Sequence, residues 1–431
     1  MKISLQWLKE YVELDDIPVK TIESKLTMAG LEVESVVDGN LKYENFVVGV
    51  VKKKEKHPDA DKLSVCIVND GEADYKVVCG APNVEEGQKV AFAKTGALIP
   101  NGNLKIKKTK IRGVESSGMI CAEDEIGLGT SHDGIMVLPP EAVVGTPAAE
   151  YFNIESDVMI EVDITPNRID GASHLGVARD LAASLQLTNP SVKVSWPSVE
   201  TFKVDNNNYH VKVTVENTEA CPRYSGLTIS GVKVQESPDW LKNRLRSIGM
   251  TPINNVVDVT NFVLHECGQP LHAFDGDQVA GNHVIVKTLP AGSSFVTLDE
   301  KERELNEQDL MICNANEGMC IAGVFGGIKS GVTEKTTRIF LESACFNPVF
   351  IRQTSRRHVL FTDASFRFER GSDPNMTIFA LKRAALLIKE VAGGEISSDI
   401  IDIYPNPVAD FDVRVTWKNI RRLIGKDIEH S

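Results

Sequence analysis

A helical pattern that stops near residue 30 and returns at residue 170 constrains this chain more than any other feature. Residues 1–39 read as a short strand and helix, then a second helix over 18–29 that Pro18 opens and Gly30 stops. So few residues cannot bury a core alone. The pattern resumes over 170–187, just after Asp163-Ile164-Thr165-Pro166-Asn167-Arg168. The two pieces are expected to pair as one discontinuous α/β domain, 1–39 with 151–195, leaving 40–150 as an insert. Insertion at a surface turn is tolerated when the ends of the insert lie close together.

Within the insert, short strands are predicted at 46–51, 63–68, 76–79, 90–93 and 104–111, with turns such as Pro100-Asn101-Gly102-Asn103 between them. Several short strands with little helix predict a small barrel, and an OB-fold fits best. Within the insert Lys108, Lys110 and Arg112 alternate and share a face, with Lys105 and Lys107 on the other. Such a strip serves as a phosphate rail. Lysines guarding an edge strand against aggregation give the same pattern. The chain carries 47 Lys and Arg against 60 Asp and Glu, so any RNA contact must use a local basic patch of this kind.

A polar, proline-punctuated linker over 190–205 leads into a third unit, 205–404, in which strands and helices mix as α+β. Strands are predicted at 209–215, 283–287, 310–313, 320–324 and 339–343. Ser237-Pro238 opens a helix that Gly249 ends, and Asn347-Pro348 opens another. In a third, Val256, Val259 and Val263 form an apolar stripe, with Asp258, Asn261 and His265 on a different face. Asp373-Pro374 opens a longer one, with Ile378, Leu381, Ala385 and Ile388 inward and Gly393-Gly394 at its end. The stretch 356–374 reads as extended chain, Arg367 and Glu369 on one face and Phe366 and Phe368 on the other. That is either an amphipathic strand with surface ion pairs, or a wall beside a pocket for an anionic ligand.

The eight cysteines contain no Cys-x-x-Cys pair and no Cys/His spacing, which argues against a zinc site and suits a reduced, cytoplasmic protein. Met1-Lys2-Ile3-Ser4-Leu5-Gln6 lacks the apolar core of a signal peptide, and no run is long and apolar enough for a membrane. No phosphate-binding loop is present, so no cofactor is expected on this chain.

Several motifs carry a family resemblance. His57-Pro58-Asp59-Ala60-Asp61-Lys62-Leu63 and Ile111-Arg112-Gly113-Val114-Glu115-Ser116-Ser117-Gly118-Met119-Ile120-Cys121 resemble the tRNA-binding OB module of several synthetases and tRNA chaperones. Arg356-Arg357-His358, followed by Thr362-Asp363-Ala364-Ser365-Phe366-Arg367-Phe368-Glu369-Arg370-Gly371-Ser372-Asp373-Pro374, resembles the editing domain of bacterial phenylalanyl-tRNA synthetase β subunits. The resemblance covers essentially the whole chain. Val359 stands where the family usually has glycine, and Phe361 where many members carry a basic residue. Residues 411–417, 419–424 and Gly425-Lys426-Asp427-Ile428 resemble the start of the family's next small domain, 410–431, so the chain reads as a fragment.

What the resemblance implies is specific. The family is an α2β2 enzyme whose α subunit joins phenylalanine to tRNA(Phe) with ATP and Mg2+, while the β subunit binds tRNA and hydrolyses tyrosyl-tRNA(Phe). Such a second site is needed because an apolar pocket rejects an added hydroxyl only about a hundredfold. The resemblance assigns His272, Glu342 and Thr362 as catalytic, and Thr260, Asn261 and Gly326 as substrate-binding. Lys105, Lys107, Lys108, Lys110 and Arg112 are the implied tRNA contacts. His272 also reads as an ordinary buried histidine, and Gly326-Gly327 as a tight turn. Glu342 is harder to explain away, because a lone carboxylate among Phe340, Leu341 and Ala344 is costly to bury unpaired. The rival reading is a tRNA-binding or assembly scaffold with an inactive pocket.

Overall fold

The computed structural model describes residues 1–15, 17–39, 43–99, 104–129, 131–154, 157–427 and 429. The turn expected at 100–103 lies outside them, as does Ile428. The fold is mixed α+β. No helix among the described residues is long and apolar enough to cross a membrane.

Val158–Val162 draws two distant stretches of chain together, running antiparallel between Lys2–Ser4 and Val33–Asp38. Helices Val19–Met28 and His174–Gln186 cover this small sheet, burying Ile22, Leu26, Leu181 and Leu185 in one core. Ser173 caps the second helix by accepting from the Gly176 amide. Gly176 cannot be larger, since a Cβ there would meet the Asp170 carbonyl oxygen at 2.0 Å.

Between these pieces lies a nearly closed barrel. Its strand order is Gly118–Ile120, Lys89–Lys94, Phe46–Lys56, Ser64–Asn69, Asp74–Cys79, with Val137–Leu138 also on Lys89–Lys94. The Ser117 amide donates to the Lys76 carbonyl and the Val78 amide to Ser116 Oγ, drawing the two edges together. Val51, Val68, Val77, Val90 and Phe92 fill the interior.

The basic strip departs from its expected geometry. The predicted strand 104–111 splits into Leu104–Lys105 and Thr109–Ile111, because Ile106 turns inward to a buried apolar cluster. Thr109–Ile111 then pairs with Val114–Ser116 across Arg112 and Gly113, whose φ angles of +45° and +85° mark a tight hairpin turn. Lys108 therefore precedes the strand and pairs with Glu115 at 2.8 Å, and Arg112 sits in the turn. Lys108, Lys110 and Arg112 do not share a strand face, though all five basic side chains are exposed.

In the third unit, Arg338–Cys345 runs antiparallel between Leu271–Asp275 and Arg223–Ser230. A second sheet, ordered Lys212–Val215, His283–Thr288, Leu310–Cys313, Gly318–Ile321, Phe325–Gly326, packs on one face. Helices Asn255–Cys267 and Met376–Ala392 cover the other, and their core is continuous with Trp7, Leu8 and Leu175 of the N-terminal unit. The expected stripe of Val256, Val259 and Val263 is buried in that core on helix Asn255–Cys267. The helix is covered on nearly every side: Asp258 accepts from Ser237 Oγ at 2.6 Å and the Ile253 amide at 2.8 Å, and His265 is buried too. Asn261 is half-buried.

The extended reading of 356–374 is also corrected. The segment folds as the end of helix Pro348–His358, a turn, and helix Asp363–Phe368. Thr362 and Ser365 exchange side-chain and backbone hydrogen bonds as a capping box, and that local signal outweighs the apparent alternation. On its polar side Arg357 and His358, with Thr354 of the preceding turn, all bond the buried carboxylate of Asp309.

Val359 closes Pro348–His358 at φ +55°, in the left-handed region, with the residue 72% exposed. A Cβ is disfavoured there by roughly 1–2 kcal/mol, and this one gains little burial in return. Val359→Gly is expected to raise the urea midpoint, with a net gain of about 1 kcal/mol once glycine's larger unfolded-state entropy is deducted. Val359→Ala should gain less, and a lower midpoint for the glycine variant would contradict the strain.

Candidate functional site

Strand pairing places His272 directly opposite Glu342. Directly paired residues present their side chains on the same face of a sheet. Both line a cavity of about 70 Å³. The chain from Gly323 to Gly326 forms one side of it, and Ala364 and Phe368 of helix Asp363–Phe368 form another. A Cβ on Gly326 would stand 2.9 Å from Leu298 Cδ1 and 3.2 Å from His272 Cε1. Glycine is therefore what lets backbone approach the imidazole.

Glu342 is 5% exposed, and its Oε2 accepts a 2.6 Å hydrogen bond from the Tyr224 hydroxyl. Burial pushes its carboxyl up to about 7, the Tyr224 bond opposing. Burial beside Glu342 likewise raises the Tyr224 hydroxyl well above its ordinary range, so that phenol keeps its proton and donates. The carboxylate that looked solitary in sequence thus has a tyrosine partner 118 residues away. No local pattern announces that partner, because it follows from the pairing of Arg223–Ser230 with Arg338–Cys345.

Among the described residues His272 Nε2, which is buried, has no hydrogen-bond partner, and its ring meets Phe274 edge-on at 4.4 Å. Burial lowers it to about 4, so it is neutral at physiological pH. The cavity therefore joins a neutral imidazole to a carboxyl that gains and loses its proton near neutrality. Such a pair can orient a water and accept a hydrogen bond from a substrate hydroxyl.

The other expected site residues are placed differently. Thr362 Oγ1 accepts from the Ser365 amide and donates to the Val324 carbonyl, so it ties the wall helix to the glycine-rich turn. Its hydroxyl is already committed. Thr260 lies inside helix Asn255–Cys267 with its hydroxyl donating to the Val257 carbonyl at 2.7 Å, and Asn261 follows it. Neither is among the residues lining the cavity, whereas Gly326 is. Among the described residues, no group of three or more His, Cys, Asp or Glu is placed to hold a metal ion.

The two titrations act on stability with opposite sign. Glu342 is raised from 4.5 to about 7, so the native state binds its proton more tightly and stability falls as pH rises through that window. His272 is lowered from 6.5 to about 4, so stability rises with pH through that range. Glu342→Gln removes only the first effect. The variant's Tm relative to the parent is expected to climb between about pH 4.5 and 7, by the equivalent of roughly 3 kcal/mol. A flat difference would mean that Glu342 titrates as an ordinary carboxylate.

Residues 46–147 match the family model described as a putative tRNA binding domain, and residues 220–393 match the B3/4 domain. The phenylalanine–tRNA ligase beta subunit of Bacteroides fragilis is 56% identical over 436 residues, which cover 99% of this chain and 53% of that protein. The same subunit from Porphyromonas gingivalis is 51% identical over 438 residues, covering 100% and 53%. That from Geobacter metallireducens is 46% identical over 427 residues, covering 99% and 52%. The chain thus spans about half the length of the curated relatives it matches. This identity is sustained along essentially all of the chain, which is thus similar throughout to about half of the phenylalanine–tRNA ligase beta subunit.

Proposed function

We propose that this chain binds tRNA(Phe) and hydrolyses tyrosine wrongly esterified to it, in the cavity between His272 and Glu342. The observation that carries the reading is the pairing of a neutral imidazole with a carboxyl near its midpoint, across one pair of strands and next to a glycine-rich turn. Glu342 uses Oε2 for Tyr224, and its second oxygen accepts the phenol of the misplaced tyrosine. A phenylalanyl ester leaves that oxygen unpaired, and an unmet buried acceptor disfavours the wrong occupant. His272 Nε2 holds the water that attacks the ester carbonyl carbon. The carbon–oxygen bond to the tRNA then breaks and the terminal ribose oxygen leaves with a proton. With its pKa held near 4, His272 orients that water better than it removes its proton.

The barrel binds the tRNA, and the exposed Lys105, Lys107, Lys108, Lys110 and Arg112 meet phosphates from its hairpins rather than from one strand face. An OB-fold is the proposed class of this barrel, and residues 205–404 are the proposed editing domain. The N-terminal domain, 1–39 with 151–195, carries both. Aminoacylation, with its ATP and Mg2+, is the task of an α subunit joined as α2β2 in the cytoplasm, and no step of ester hydrolysis on this chain runs through those groups.

A cavity of about 70 Å³ is smaller than the roughly 150 Å³ that holds a benzene ring, so the wall must yield as substrate enters. The test is single-turnover hydrolysis of tyrosyl- and phenylalanyl-tRNA(Phe) by the parent and by Glu342→Ala. The parent should prefer the tyrosyl ester, and the variant should lose about tenfold or more of that preference. No hydrolysis by the parent would leave the scaffold reading in its place.

A further inference from the structure

Helix Asp363–Phe368 presents Ala364 and Phe368 to the cavity, while Arg367 reaches from it into the seam with the N-terminal unit. We infer that Arg367 is a positioning residue of this site, setting the cavity wall from the N-terminal unit through the Ala172 carbonyl and His265. The inference rests on the ester-hydrolysing reading above.

Arg367 is 1% exposed, yet among the described residues no buried carboxylate accompanies it. Its Nε donates to the Ala172 carbonyl at 3.1 Å, Nη1 to the Asp363 carbonyl at 2.9 Å, and Nη2 reaches His265 Nδ1 at 3.4 Å. The nearest carboxylate oxygen, Asp363 Oδ1, is 3.4 Å away on a side chain that is 58% exposed. Burying a guanidinium among carbonyls and an imidazole is an expensive way to fill space, and an apolar side chain of similar volume would fill it more cheaply. What arginine adds is a planar fork with fixed directions, here joining the N-terminal unit, helix Asn255–Cys267 and the first turn of the wall helix.

The acceptor on His265 is itself held in place. The Ser4 amide donates to His174 Nε2 at 3.1 Å, so His174 carries its proton on Nδ1 and donates it to the His265 carbonyl at 2.8 Å. Burial, and then Arg367, keep His265 well below its usual range, which leaves Nδ1 free to accept. The wall is thus set by two backbone points of the N-terminal unit, Ser4 and Ala172. Because the cavity must widen for an aromatic side chain, the reach of Arg367 fixes where the wall rests and returns.

The experiment uses the intact chain with Arg367→Met and Arg367→Lys. Hydrolysis of tyrosyl-tRNA(Phe) is followed over a range of tRNA concentrations, together with amide hydrogen exchange. In Arg367→Met, kcat is expected to fall about tenfold or more with KM changed less than about twofold, because misplacement costs turnover and tRNA is held elsewhere. Amides at 363–368 should exchange about tenfold faster while those at 376–392 are unchanged. Arg367→Lys should recover part of both. Unchanged kcat in Arg367→Met overturns the inference, as does unchanged exchange at 363–368. If Arg367→Met does not fold, Arg367→Lys decides by the same readouts. A parent without hydrolysis removes the ester reading, and exchange at 363–368 then decides this inference alone.

Discussion

The two-residue period of Arg338–Cys345 is the constraint on which the site depends. Ile339 and Leu341 face the helices, whereas Phe340 and Ala344 face the second sheet. Glu342 shares their parity and so lies on the second-sheet side, where strand pairing sets it across from His272 and its hydroxyl partner Tyr224 approaches. A slip of one residue in this register would turn Glu342 into the helix-packed core, where an unpaired carboxylate is prohibitively costly. Packing of the flanking apolar residues therefore fixes the chemistry of the cavity. The same burial raises the carboxyl and lowers the imidazole.

A second layer of order comes from the seam between the N-terminal and third units. Trp7 stacks on His174 at 3.8 Å and on Phe262 at 4.4 Å, and its indole N–H donates to Tyr11. Tyr11 donates to Glu266, which Arg383 also holds through two hydrogen bonds. The buried carboxylate is thus fully partnered, and such networks fix geometry more than they add stability. Helix Asn255–Cys267 is shared by both units, so the cavity wall and the N-terminal sheet are parts of one packed body.

Much of this was legible in the sequence where a signal was local. Asn347-Pro348 opens a helix, Gly393 ends another, and Leu310–Cys313 forms the strand its residues announce. Legibility failed where distant chain decided the outcome. Alternation of Arg367 and Glu369 with Phe366 and Phe368 suggested a strand, but Thr362 and Ser365 cap a helix, and Arg367 is drawn inward by Ala172, 195 residues away. The polar side of helix Asn255–Cys267 is buried as well, and nothing nearby in sequence reveals the N-terminal unit that covers it. Of the residues lining the cavity, Glu342, His272 and Gly326 could be singled out through the family resemblance, Glu342 also by its apolar neighbours. Tyr224 could not, and the committed hydroxyls of Thr260 and Thr362 were equally invisible.

The central claim is that the phenol of a misplaced tyrosine meets Glu342 while its ester meets the water held by His272. A crystal structure of the intact chain with an amide-linked, non-hydrolysable tyrosyl-adenosine tests it most directly. The account predicts the phenol oxygen within hydrogen-bond distance of Glu342, the carbonyl carbon beside His272 and Gly326, and helix Asp363–Phe368 displaced to make room. A tyrosyl group bound away from this cavity, or held there with its hydroxyl turned from Glu342, would contradict it.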